Sequence, residues 1–194
     1  MDFLKKWIGC ILSFVAGVLG LAMSACTGMI ISGSYTHPLA GVQNVNEVTK
    51  AFKVLTDSSL YSDAKAYGLG SEFMTMKVFA IITLVISILL IVYAIIMLLK
   101  NLNVIKSNSI VFDIIGWTLV ALFLIATIGL LVSSNVYAGG VVDFQVSLLT
   151  KAGIPENLID ITGKVGLYQP FMLGTSIILA IVTAVFAVIK LKAA

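Results

Sequence analysis

Two long apolar runs joined by one short polar turn constrain this chain more than any other feature. Residues 78–99 carry no charged side chain, and residues 110–134 carry one, Asp113, near their start. At a rise of about 1.5 Å per residue, each run is long enough to cross the roughly 30 Å hydrocarbon core of a bilayer. No water is present there to satisfy free amides, so each run must be helical. The stretch between them, KNLNVIKSNS, allows only an antiparallel turn.

Composition points the same way. Of 194 residues, 60% are hydrophobic and 11% charged. Soluble domains are typically about 45–50% apolar and 25% charged. Two further apolar stretches flank the hairpin, giving expected membrane spans at about 7–31, 76–99, 110–134 and 170–190, with outer loops 32–73 and 135–169. The fold class expected from the sequence is therefore an all-α integral membrane protein. Its four transmembrane helices form an antiparallel bundle under a small, mostly helical extracellular cap, within a single domain.

Lysine placement orients this arrangement. Lys5, Lys6, Lys100, Lys106, Lys190 and Lys192 lie in short flanks on one side, whereas the long loops mix lysines with acids. Positive residues in short flanks face the cytoplasm. Both termini are expected there, in the plasma membrane. All basic residues are lysine, so the guanidinium fork used on phosphates and base edges is missing, and no nucleic-acid partner is expected.

The first span has two rows of small residues. Ala16, Gly20, Ser24 and Gly28 recur every four positions, beside Gly9, Ser13 and Gly17. Such rows let helix backbones approach closely in lipid, so these seven residues are expected to form a packing face, against the chain itself or another subunit. Cys10 and Cys26 lie about 24 Å apart along the helix and cannot bridge each other. The stretch Met23-Ser24-Ala25-Cys26 is similar to a bacterial lipobox. An uncleaved anchor is the preferred reading over a processed lipoprotein signal, because apolar residues continue past the cysteine.

In the first loop, Asn44 and Glu47 have the spacing of a capping box. Val45, Val48, Phe52 and Leu55 then follow at helical spacing and predict an amphipathic helix whose apolar face is a candidate partner surface. Ser71 is a candidate cap for the second span. In the second loop, Gly139-Gly140 predicts a break. The alternation over 142–148 is a strand signal, yet a helix over 141–152 also fits and is preferred. Pro155 suits the start of a short helix at 156–162, closed by Gly163.

The span centres contain no Asp, Glu, Lys or His, which argues against ion-coupled transport, proton relay and voltage sensing. Asp113 sits at the cytoplasmic interface near Lys106, where a helix N-terminus favours a carboxylate. His37 has no Cys or acidic cluster beside it and reads as a loop residue. No hydrolase, zinc-protease, phosphate-loop or dinucleotide motif is present, so no catalytic residue, metal or cofactor is expected. The four-span topology resembles that of the claudin-like proteins and the tetraspanins. The residues do not follow: the first loop has no tryptophan or paired cysteines, and the second has no Cys-Cys-Gly. The expected function is a non-enzymatic structural or accessory membrane protein. Its expected partners are the lipid bilayer and other membrane subunits or itself. The alternative is a self-assembling pore or channel subunit.

Overall fold

The computed structural model describes residues 2–25, 27–105 and 110–166, with positions 174, 177, 178 and 181. In chain order these form α1 (Asp2–Ala25), β1 (Thr27–His37), β2 (Gly41–Lys50), α2 (Ala51–Thr56), α3 (Ser58–Ala66), α4 (Gly70–Asn101), α5 (Ile110–Lys151), a 3-10 turn (Glu156–Leu158) and β3 (Ile159–Val165).

The expected all-α bundle of four membrane helices is overturned. Five helices accompany a three-stranded antiparallel sheet of order β2-β1-β3. Among the described residues, only α4 and α5 are long and apolar enough to cross a membrane, and the apolar part of α1, Trp7–Ala22, is shorter. The fourth expected span, 170–190, lies outside the described residues except for Gly174, Ile177, Ile178 and Ile181. The first expected span ends early because Met29, Ile30 and Ile31 belong to a strand. Ile30 and Ile31 are β-branched, and extended backbone lets them pair with β2 on one side and β3 on the other.

The α4–α5 hairpin is as the two apolar runs predict. With 32 residues α4 is about 48 Å long, and with 42 residues α5 is about 63 Å long. Both exceed the roughly 30 Å hydrocarbon core. The turn between them opens on Asn103 at φ 60°, where Asn103 N–H bonds Lys100 O and Val104 N–H bonds Leu99 O. This pair of bonds closes the last carbonyls of α4, and Asn tolerates the left-handed conformation it needs. Tyr93 Oη donates to Phe112 O at 3.0 Å across the hairpin.

α1 runs antiparallel to α4. Near its start Cys10 Sγ donates to Ala94 O at 3.1 Å, and further along Gly17 and Gly20 lie against Ser87 and Ile91. A core of Ala16, Ile86, Leu90, Val120, Phe123 and Ala126 joins the three helices. Buried hydroxyls there bond back along their own helices: Thr83 to Phe79 O, Ser87 to Thr83 O and Thr127 to Leu124 O. That satisfies them without an external partner.

Gly139-Gly140 does not break α5, which continues to Lys151. A Cβ on Gly140 would lie 2.6 Å from Leu69 Cδ2, so glycine here admits a neighbouring side chain rather than ending the helix. The expected helix at 156–162 is replaced by the 3-10 turn and β3. Gly163 sits in that strand, where a Cβ would lie 2.8 Å from Ala138 O. Close approach of β3 to α5 is what this glycine provides.

Candidate interaction surface

Beyond the hairpin, the sheet, α2 and α3 pack with the ends of α4 and α5 into a compact module. The sheet, α2, α3 and the far half of α5 enclose a single core. Its members include Met29 and Ile31 from β1, Val54 from α2, Ala64 from α3, Phe73 and Met76 from α4, Tyr137 and Val141 from α5, and Ile161 from β3. Phe73 is the centre of an aromatic chain, edge-on to Tyr137 at 5.5 Å and tilted against Tyr61 at 6.1 Å. Tyr67 stacks on Phe144 at 4.4 Å and ties the end of α3 to α5. Two helix ends are closed by the same paired backbone bonds, at Gly68 after α3 and at Gly153 after α5, both at positive φ. The residue after the second, Ile154, is buried.

Asp57 caps α3. Its carboxylate accepts from Ser59 N–H at 2.9 Å and Ser59 Oγ at 2.6 Å. The Ser59 hydroxyl, then its amide, holds the carboxyl below the usual carboxylate range. A depressed folded value means that the cap is fully present above the unfolded value, about 3.9, and is lost as pH falls through the folded value. Hydrogen-exchange protection factors across 60–63 are therefore expected to be flat from pH 7 to 5 and to drop below about pH 3.9. In Asp57→Asn that acid-dependent drop should vanish; an unchanged profile would show that the cap does not hold α3.

The hairpin joining β1 to β2 is also held locally. Pro38, Leu39 and Ala40 form the turn, and Gly41 adopts φ 71°. His37 Nδ1 accepts from Leu39 N–H and Ala40 N–H, each at 3.2 Å. The lone histidine is thus a turn latch. The turn presents Leu39, 94% exposed.

The expected partner helix is corrected in the same region. Residues 41–50 form β2, so side chains alternate across the sheet instead of sharing a helical face. Val45 is half-buried against the module core, whereas Val48 points to the opposite face and is 54% exposed. Leu55 belongs to α2 and packs on the core; Phe52 is the second residue of that helix. Asn44 and Glu47 are strand residues, not a capping box. Ser71 bonds Glu72, and Leu69 precedes α4 without a side-chain cap.

The small-residue rows separate in the structure. Ser13, Ala16, Gly17 and Gly20 lie in the contact of α1 with α4, and Gly20 also faces Phe123 of α5. A Cβ on Gly9 would meet nothing within 4 Å. Ser24 is in the last turn of α1, and Gly28 lies in β1, off the helix. Asp113 is in the first turn of α5, while Lys106 and Cys26 lie outside the described residues.

The core of the module offers little room for a small molecule. A cavity of about 30 Å³ is lined by Met29, Val54, Phe73, Met76, Tyr137 and their neighbours. Ligand pockets are typically about 300–1,000 Å³. Outside that core, an open groove of about 430 Å³ runs beside Asp143, Val146, Ser147, Thr150, Lys151 and Glu156. No group of His, Cys, Asp and Glu among the described residues could hold a metal. What the module does expose is backbone and side chain along β2, which has β1 as its only strand neighbour among the described residues. No family model, curated protein or solved structure matches this chain.

Proposed function

We propose that the protein is a non-enzymatic structural or accessory membrane protein of the cell membrane. The α4–α5 hairpin is its anchor, and the outer module is the part that meets other membrane proteins. The observation that carries this reading is the unbroken course of α5. One helix runs from the hairpin turn to Lys151 and forms a wall of the module core through Tyr137, Ala138 and Val141. A module built on a continuous helix is fixed in height and angle relative to its anchor, which suits a recognition surface. Lys5, Lys6, Lys100 and Lys106 support a cytoplasmic N-terminus and hairpin turn with the module outside, and Lys190 and Lys192 support a cytoplasmic C-terminus.

Single cysteines at exposed Ser58 and Thr150, in a background lacking Cys10 and Cys26, are expected to react with an impermeant maleimide in intact cells. A cysteine at Asn103 should react only after permeabilisation. The reverse pattern would overturn the orientation. For the role itself, purified protein in liposomes is expected to pass no ions, and native purification is expected to bring a second membrane protein whose recovery falls when the module is unfolded. Ion flux from the purified chain would replace this reading with a pore.

A further inference from the structure

We propose that two copies of this chain associate by pairing their β2 edges antiparallel about a two-fold axis through Val45. The proposal rests on the outer module being the surface of association, and names a second copy of the chain as what it binds.

Three observations carry it. First, among the described residues β2 is an edge strand, ten residues long. Natural edges are blunted by short length, proline, bulges or inward lysines. Gly41–Lys50 contains no proline, its pairing with β1 runs without a shift from Gly41 to Thr49, and its one lysine is the last residue. Second, the strand reads nearly the same in both directions about Val45: Val42-Gln43-Asn44-Val45-Asn46-Glu47-Val48. A two-fold axis normal to a sheet keeps each residue's face and sets position 45+n opposite 45−n. Val45 then meets Val45, Asn44 meets Asn46, Gln43 meets Glu47 and Val42 meets Val48. Every pair joins like with like or donor with acceptor, which is what an isologous interface requires. Third, Val42 and Val48 are exposed by 65% and 54% on the sheet's outer face. Opposite each other they would form two apolar cross-strand pairs flanking the Asn44–Asn46 pairs.

Charge agrees with this register. Glu47 is the only acid in β2, and the Gln43 amide of the other copy would donate to it, exchanging the bond that Gln43 Nε2 now makes to Ala40 O at 3.1 Å. No like charges face each other.

The test uses full-length protein in detergent, with mass measured by light scattering across a concentration series. Wild type is expected to shift between one and two chains. V42K/V48K places lysines opposite each other and should be monomeric at concentrations at least tenfold above the wild-type midpoint. V42E/V48K removes the same two valines but sets Glu opposite Lys, and should dimerise like wild type. As an independent check on the register, V42C protein mixed with V48C protein, both lacking Cys10 and Cys26, should form a disulfide-linked heterodimer, while V42C alone should not crosslink. A monomeric wild type, equal association by the two charge variants, or crosslinking of V42C with itself would overturn the proposal. A monomeric wild type that still labels with the outward pattern at Ser58 and brings down another membrane protein would sink the self-pairing and leave the proposed function standing.

Discussion

Ile31→Asp is expected to unfold the outer module while leaving the α4–α5 hairpin helical. Ile31 is wholly buried in the central strand, facing the core of Phe73, Met76, Tyr137 and Ile161. Replacing it forfeits about 1.5–3 kcal/mol of side-chain burial. It also places a polar group with no partner where water is excluded, at a cost of roughly 2–7 kcal/mol. Together these rival the whole stability of a typical domain, about 5–15 kcal/mol. Limited proteolysis should then cleave at exposed Lys151 and Lys164, and far-UV dichroism should keep its helical signal. Val48→Asp is the matched control. On the helical reading Val48 shares a buried face with Val45; in β2 it lies on the exposed side. At concentrations where the chain is monomeric, it should change module stability by no more than about 0.5 kcal/mol. Equal damage from both substitutions would mean that the strand register is not as described.

Gly20→Leu should loosen α1 from the hairpin. A Cβ there would fall against the Ser87 side chain and 2.6 Å from Phe123 Cε2, so α4 and α5 press on the same point of α1. Neither neighbour is the free end of a long flexible chain: Ser87 is buried and bonded to Thr83 O, and Phe123 is in the core. Overpacking of this kind typically costs about 1–3 kcal/mol. For a chain of this size that corresponds to a fall in Tm of roughly 2–12 °C. Gly9→Leu adds the same atoms to the same helix where nothing lies within 4 Å, and should not lower Tm but raise it slightly, because Leu is the better helix former. A thermal shift in detergent that is the same for both would show that helix propensity, not packing, sets the effect.

The contrast between Gly9 and Gly20 shows what a sequence leaves open. Both belong to rows of small residues, and spacing alone treats them alike. Only the course of α1 along α4 decides which positions of the two rows are inside.

The sequence by itself determined the α4–α5 hairpin. Long uncharged runs on either side of a short polar turn have one solution when every backbone group must be satisfied within its own helix, and that constraint is local. It also determined which residue types the two apolar helices carry, because those do not depend on how the helices pack. The sheet was decided by tertiary structure. Met29, Ile30 and Ile31 continue an apolar run, and valines at 42, 45 and 48 mimic a helical face. Their true period is visible only once β1 has partners on both sides. One of those partners, β3, is more than a hundred residues away in the chain: Ile31 pairs with Gly163. The course of α5 through Gly139-Gly140 was settled in the same way, by Leu69 packing where a side chain would otherwise stand. Glycine's weak helix propensity, a penalty of about 1 kcal/mol, is a local term, and packing against a distant residue outweighs it.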